Sequence, residues 1–164
     1  MPRRPMTVTD SVDVSASPEA IWTQVADPAN MPRWSPENTG APDGAGRILA
    51  TGDVFTGRNK RGPARWITRC TVTASEPGQV FSFDVQAIGV RAPWLRGKIA
   101  NWTYTFEPVG SGTRVTETWT DHRSWWPDWF AAGFDKVATG SRFYKFQVGN
   151  IGRTLKNLKA DFEA

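Results

Sequence analysis

Few side chains in this sequence are suited to acid–base or nucleophilic chemistry, and Glu117 is the most informative of them. Val115, Glu117 and Trp119 share one face of a predicted strand, because they fall on alternate positions. A carboxylate on an apolar face is costly unless it is paired or protonated. We therefore expect a structural pair with an arginine such as Arg142 or a local bulge, or else a carboxyl group that contacts a ligand and acts as a general acid or base.

Other reactive side chains are weaker candidates. Tyr104 is predicted to direct its hydroxyl into the same space, with Thr68 and Cys70 on a nearby strand. Cys70 has no adjacent base in the pattern and is interpreted as a packed side chain. His122 follows the last predicted strand and is expected to face solvent. The candidates for a catalytic role are Glu117, Tyr104 and Arg142.

The composition argues against metal and cofactor sites. One cysteine and one histidine cannot supply the usual sulfur and nitrogen ligands, and the carboxylates are scattered. The glycine-rich GAG and GSG stretches lack the strand-to-helix context of a phosphate-binding loop and are interpreted as turns. We expect no metal and no cofactor.

The charge and hydropathy patterns narrow the class of partner. The net charge is +4, and the tight basic cluster, residues 58–61, falls in a predicted hairpin turn. Nucleic-acid-binding surfaces concentrate basic residues on one face, so we expect no nucleic-acid partner. No apolar run is long enough to span a membrane or to form a signal peptide. The sequence predicts a single domain over 1–164 that is cytoplasmic, does not insert stably into membranes, and is a monomer or weak homodimer.

The longest predicted element is a C-terminal helix over residues 141–162. Its apolar residues recur mostly at steps of three and four, which places them on one face: Phe143, Ile151, Leu155, Leu158 and Phe162. A helix of this length with one apolar face requires a sheet or other helices to cover it.

Most of the upstream sequence alternates as strands do. A first strand over 6–15 precedes a helix that begins at Ser17-Pro18-Glu19 and stops at Asp27-Pro28, and a short second helix or turn follows over 28–36. Later strands are predicted at 53–60, 64–76, 79–88, 99–107 and 113–121, with a short one between 36 and 47. Tight turns make consecutive strands antiparallel. The expected class is α+β, with about seven strands curved around the C-terminal helix.

Nine tryptophans and nine phenylalanines are the unusual feature of the composition. Aromatic rings cover large areas with few rotamers, so they line ligand pockets well. Here they lie on the inner faces of predicted strands and in residues 124–140. They either pack against the helix or line a cavity. The predicted ligand-binding residues are Trp34, Phe55, Trp66, Thr68, Cys70, Phe81, Phe83, Trp102, Tyr104, Glu117, Trp119, Trp126, Trp129, Phe134 and Phe143.

Two aromatic segments, 89–98 with Trp94 and 124–134 with Trp126 and Trp129, are predicted to flank the mouth of such a cavity. They would act as a lid that moves at glycines 133 and 140, because lids come from segments with few backbone pairings. The alternative is that these tryptophans fill the end of the core and do not move.

The N-terminal segment SPEAIWTQVADPANMPRWSP resembles the opening of the START-like SRPBCC superfamily, in particular its polyketide cyclase/dehydrase branch. The ending NIGRTLKNLKADFE resembles the last helix of that family. The resemblance implies a helix-grip fold with a cavity between sheet and helix, which binds a hydrophobic or aromatic small molecule that is polyketide-, lipid- or sterol-like. The matching positions in the first segment are Ser17, Pro18, Glu19, Trp22, Asp27, Pro28, Trp34 and Pro36.

Two other functions stay open at this point. The resemblance also allows an enzyme of the polyketide cyclase/dehydratase type, in which Glu117, Tyr104 and possibly Arg142 would transfer protons. A third possibility is a protein-interaction module that uses Trp94 and residues 125–130 as its contact surface.

Overall fold

The computed structural model describes residues 4–43 and 46–164 and confirms the α+β class. The elements in chain order are β1 (Thr7–Val14), α1 (Pro18–Val25), a 3₁₀ helix (Pro28–Arg33), β2 (Asn38–Gly40), β3 (Val54–Arg61), β4 (Ala64–Glu76), β5 (Val80–Gly89), β6 (Leu95–Val109), β7 (Gly112–Asp121), α2 (Asp128–Thr139) and α3 (Phe143–Phe162). Most predicted strand ends lie within a residue or two of these bounds.

The strands form one antiparallel sheet in the order β1-β7-β6-β5-β4-β3-β2. Consecutive strands from β2 to β7 pair with one another, while β1 pairs with β7, so the first strand lies beside the last. The sheet curves around α3, whose apolar face is buried at Ile151, Leu155 and Leu158. The predicted helix-grip arrangement is confirmed.

The first helix begins as its sequence predicts. Ser17 Oγ accepts a hydrogen bond from the Ala20 N–H at 3.2 Å, and Pro18 occupies the first helical position, where its missing N–H costs nothing. Asp27 starts the 3₁₀ helix in the same way by accepting from the Ala29 N–H at 3.0 Å.

The connection before β6 is shorter than predicted. Strand β6 begins at Leu95 rather than near 99, and Leu95 pairs with Ile88 across the turn. A Cβ built on Gly89 would lie 1.9 Å from the Ala92 carbonyl oxygen, so the tight turn requires glycine there. The proposed flanking segment is therefore reduced to residues 90–94.

Helix α2 was not predicted, because its buried face carries no apolar stripe. The buried side chains are Ala131, Asp135 and Thr139, whereas Trp129 and Val137 point to solvent. A helix is recognised from its sequence when apolar residues recur on the face that packs against the core. In α2 the large apolar residues recur on the solvent-exposed face instead. Gly140, with φ of 83°, ends the helix in the left-handed conformation.

A buried ionic cluster joins α2 and α3 to the end of the sheet. The fully buried Arg123 guanidinium contacts Asp121 at 2.8 Å and Asp135 at 2.6 Å. Asp135 also accepts from the Phe143 N–H, the first of α3, at 3.1 Å. Arg4 reaches the same Asp121 at 3.3 Å from the N-terminal segment. Four separate parts of the chain thus meet at one cluster.

We expect Arg123→Met to lower the free energy of unfolding by about 3–5 kcal/mol, because it leaves Asp135 and Asp121 buried without their shared cation. Urea denaturation measures the change. Arg114→Met is the matched control, since Arg114 pairs with Asp13 at 2.9 Å on the exposed surface and should contribute less than ~1 kcal/mol. Equal losses in the two variants would contradict a structural role for the cluster.

Candidate functional site

A pocket of about 100 Å³ lies between the inner face of the sheet and α3. Its walls come from strands β2 to β7, from Met31 on the 3₁₀ helix and the segment that follows it, from Thr139 at the end of α2 and from the first half of α3. The pocket is smaller than the roughly 300–1,000 Å³ that drug-sized ligands occupy. The sequence-predicted residues that line it are Phe55, Trp66, Thr68, Cys70, Phe83, Trp102, Tyr104, Glu117, Trp119 and Phe143.

Five predicted ligand-binding residues lie outside this lining. Trp34 is buried at α3, where its indole N–H donates to Asp161 Oδ2 at 2.9 Å. Phe81 is buried in the core behind Phe83, with ring centres 5.9 Å apart. Strand alternation placed Phe81 on the same face as Phe83 but could not show that Phe83 lines the pocket while Phe81 does not.

The remaining three belong to the aromatic segment around α2. Trp126 is buried and packs on Phe130 and Phe134, with ring centres 5.0 and 5.4 Å away. Trp129 is 76% exposed. Trp126, Trp129 and Phe134 are absent from the pocket lining, since α2 contributes only Thr139 to it.

Glu117 is fully buried and hydrogen-bonded to Tyr104. Its Oε1 accepts from the Tyr104 hydroxyl at 2.6 Å, and its Oε2 has no partner in the protein. Burial raises the pKa of Glu117 to about 8, although the hydrogen bond from Tyr104 acts in the opposite direction. Burial likewise raises the pKa of Tyr104.

The alternative in which Glu117 pairs with Arg142 is wrong. Arg142 precedes α3 and its Nε lies 3.8 Å from Asp135, which draws the guanidinium towards the ionic cluster. Arg142 is not part of the pocket lining. Of the three catalytic candidates, the structure brings together Glu117 and Tyr104 only.

A second carboxyl group in the pocket, Glu37, was missed from the sequence. Burial raises its pKa to about 7, against the effect of Arg61, whose Nη2 lies 3.5 Å away. Glu37 lies in the irregular segment between the 3₁₀ helix and β2, so no periodicity assigns its side chain to a face. The signal that could have found it is its position directly after Trp34-Ser35-Pro36, a turn that leads into the sheet.

Arg61 closes the polar end of the pocket. Its Nη1 donates to the Thr139 carbonyl oxygen at 3.1 Å and to Ser141 Oγ at 2.7 Å. Its guanidinium carbon lies 3.0 Å from the centre of the Phe146 ring. These contacts fix the end of β3 against the junction of α2 and α3.

Two amides on α3 add polar groups to the same lining. Asn150 Nδ2 donates to Gln147 Oε1 at 3.0 Å, whereas the buried Asn150 Oδ1 has no partner. The pocket therefore presents unused hydrogen-bonding capacity at both Glu117 and Asn150.

Cys70 and His122, two weaker candidates from the sequence, differ in their surroundings. Burial raises the pKa of the Cys70 thiol to about 12, so the thiolate is scarce near neutral pH. His122 follows the end of β7 and is half-buried rather than solvent-facing, and it does not line the pocket.

The part of the chain that the structure describes holds neither a candidate metal site nor a membrane-spanning helix. Among residues 4–43 and 46–164, no three His, Cys, Asp or Glu side chains are grouped so that they could bind a metal ion. In the same two ranges, no helix combines the length and the apolarity that crossing a bilayer requires.

Solved structures with the same fold come from several bacteria. A polyketide-cyclase-like protein from Corynebacterium glutamicum is 24% identical, with 96% of this chain and 91% of that chain covered and a TM-score of 0.60. A START superfamily protein from Mycobacterium smegmatis is 17% identical, with 97% and 98% covered and a TM-score of 0.65. The Aha1 dimer from Colwellia psychrerythraea is 15% identical, with 97% of each chain covered and a TM-score of 0.60. At these identities the likeness concerns the fold alone.

The sequence itself assigns the family. No curated protein matches this sequence. A family model described as polyketide cyclase / dehydrase and lipid transport matches residues 5–163, nearly the whole chain. The chain therefore belongs to this polyketide cyclase/dehydrase and lipid transport family.

Proposed function

We propose that the protein binds a hydrophobic or aromatic small molecule in the pocket between the sheet and α3. The observation that carries this proposal is the Glu117 Oε2 atom, which is buried in a pocket with aromatic walls and has no protein partner. A buried polar atom left unpaired costs about 1–3 kcal/mol. A ligand that supplies a hydrogen-bonding group recovers that free energy and displaces the pocket's solvent from apolar walls.

The protonation state of Glu117 determines which chemical group of a ligand it binds best. With a pKa of about 8, the carboxyl is mostly neutral at neutral pH. Because Oε1 accepts from the Tyr104 hydroxyl and Oε2 has no protein partner, a proton on Oε2 would be free for donation to a ligand. The preferred ligand therefore carries a carbonyl or hydroxyl oxygen next to its apolar body.

The size of the pocket limits what enters without movement. About 100 Å³ is close to the volume of a single aromatic ring, since an engineered cavity of ~150 Å³ binds benzene. A polyketide-, lipid- or sterol-like ligand would extend beyond it or displace the walls. Thr139 and Phe143, which flank the α2–α3 junction at Gly140, are the lining residues placed to move with such an opening.

The exposed tryptophans retain the two roles expected of them. Trp94, Trp125 and Trp129 are 68%, 74% and 76% exposed and lie outside the pocket. They are available as an outer part of a lid or as a protein-contact surface. The buried Trp126, by contrast, packs as part of the core around α2.

Binding is tested with 4-(4-hydroxybutyl)phenol, a neutral probe with one ring and a short chain, called here the phenol alcohol. Titration into isotope-labelled protein should shift the NMR signals of the pocket residues. Ala100→Leu adds three carbon atoms to a buried wall and should weaken binding about tenfold or more. Ala160→Leu, the same change at an exposed position on α3, should leave the affinity unchanged. Equal affinities in both variants, or shifts confined to the surface, would exclude this pocket.

The ionisation of Glu117 predicts a pH dependence of stability. Between pH 4.5 and about pH 8 the folded state keeps the proton that the unfolded chain releases, so the free energy of unfolding falls as pH rises. Glu117→Gln removes this term, and the variant should gain up to roughly 4 kcal/mol relative to the wild type across that window. Chemical denaturation at a series of pH values measures the difference. Glu107→Gln, at an exposed position on the same sheet, is the control. Parallel curves for Glu117→Gln and the wild type would contradict a buried neutral acid.

A second candidate function, dehydration of a β-hydroxy ketone, is favoured by the two carboxyl groups in one pocket. Glu37 and Glu117 have raised pKa values of about 7 and about 8, which suits a base and an acid near neutral pH. Ionised Glu37 would remove the proton beside the carbonyl, and Glu117 would protonate the departing hydroxyl. The carbon–carbon double bond then forms as water leaves, and proton exchange with solvent restores both carboxyl groups.

The test substrate is 4-hydroxy-4-phenylbutan-2-one, whose loss of water gives a conjugated enone that ultraviolet absorbance follows. We expect the wild type to accelerate the reaction and both Glu117→Gln and Glu37→Gln to reduce kcat about 100-fold or more, with smaller effects on binding. Glu107→Gln should retain full activity. Turnover that is unchanged in Glu117→Gln, or equal to the uncatalysed rate in the wild type, would leave binding as the function.

A further inference from the structure

We propose that the ligand of the pocket carries an anionic group, a carboxylate or phosphate, which binds in a basic groove directly outside the pocket. The groove has a volume of about 340 Å³ and is lined by Pro36, Lys60, Arg61, Gly62, Arg65, Phe146 and Arg153. This inference rests on the proposed function of the pocket, and it names the chemical class of the ligand.

Arg61 connects the two spaces. Its side chain is part of the pocket lining and also part of the groove lining. Its guanidinium is held by Thr139 and Ser141 and stacks on Phe146, so an incoming anion meets a cation whose position is already fixed. Pre-organisation of this kind lowers the entropy lost on binding.

The groove is positively charged and its charge is largely unbalanced. Lys60 and Arg65 face each other across β3 and β4, and Arg153 approaches from α3. No acidic side chain lines the groove, and within residues 4–43 and 46–164 none of these three side chains forms an ion pair. Phe146 adds an apolar surface along which a hydrocarbon chain could leave the pocket.

Glu37 is the acidic group nearest to this arrangement, and it lies on the pocket side of Arg61 at 3.5 Å. Its burial favours the neutral form, so it neutralises Arg61 only in part near neutral pH. A carboxylate or phosphate in the groove would approach Arg61 from the opposite side. Arg65 and Arg153, both exposed, can rotate onto the same anion and form charge-assisted hydrogen bonds.

Two probes that share a phenol ring and chain length separate the charge from the apolar body. They are the phenol alcohol and 4-(4-hydroxyphenyl)butanoate, called here the phenol acid. In NMR titrations at ~50 mM salt, where surface charges are weakly screened, the acid should bind about tenfold tighter than the alcohol. Inorganic phosphate alone should compete weakly, because it lacks the part that enters the pocket.

The double variant Arg65→Gln/Arg153→Gln should weaken binding of the phenol acid about fivefold or more and leave the phenol alcohol unchanged. The matched control is Arg69→Gln/Lys156→Gln, which removes two exposed charges from the same strand and helix outside the groove. The control should bind both probes as the wild type does.

The outcomes distinguish this inference from the function on which it rests. If the alcohol binds in the pocket and the acid binds no tighter, the groove proposal is wrong and the pocket proposal stands. If both double variants lose acid binding equally, the overall electrostatic field of the protein accounts for the effect, and the groove proposal is wrong. If inorganic phosphate binds as tightly as the acid, the groove is an anion site independent of the pocket, and the proposal that it binds the ligand's anionic group is wrong. If neither probe shifts the pocket signals, both proposals are wrong.

Discussion

Burial of Arg123 between Asp121 and Asp135 is the interaction on which the geometry of this protein depends. The three side chains are almost completely excluded from solvent, and such a cluster is stable only when the charges are closely paired. The cluster satisfies that condition through short contacts between its charged groups. Asp135 also accepts a hydrogen bond from the backbone N–H of Phe143. Because Asp135 lies on α2 and Phe143 begins α3, the cluster sets where α3 starts over the sheet. The positions of Thr139 and Ser141, which hold Arg61, follow from the same junction.

The site combines apolar walls with a small number of polar groups that have few partners. Strands β4 to β7 present aromatic side chains towards α3, and the helix does not cover all of them. Glu117 is placed among these rings by the alternation of β7, and burial keeps it protonated near neutral pH. A neutral acid in an apolar pocket favours ligands that bring an oxygen with them. It does not attract a cation, as an ionised carboxylate would.

The site residues that the sequence predicts correctly lie on regular strands or at the start of α3. Those that it misses or misplaces lie mostly in irregular segments or on a helix with a polar buried face. Alternation in a strand fixes the face of every second residue, so Glu117 and Tyr104 were assigned to the same space before the structure was known. The surroundings of Arg142 and Glu37 could not be predicted in this way, because both residues lie outside regular elements and no periodicity assigns their side chains to a face. The partner of Arg142 depends on where Asp135 lies in α2, a helix whose buried face is too polar to be detected from hydrophobicity. Trp129 and Phe134 of α2 were expected in the pocket because this helix is not detectable from the sequence, and neither of them lines it.

The two ends of the site differ in charge, and this difference gives a ligand a direction. Near neutral pH the inner end presents the uncharged Glu117 acid, while the outer end presents Arg61 and the basic groove. Glu37 lies in the pocket 3.5 Å from Arg61 and ionises near neutral pH, with Arg61 as its counter-ion when it does. A molecule with an oxygen on its apolar body and an anion on its tail satisfies both ends only in one orientation, since an anion at the inner end would be desolvated without a cation. The same asymmetry would serve the proposed dehydration, because a ligand that enters ring first would present the same atoms to Glu37 and Glu117 each time.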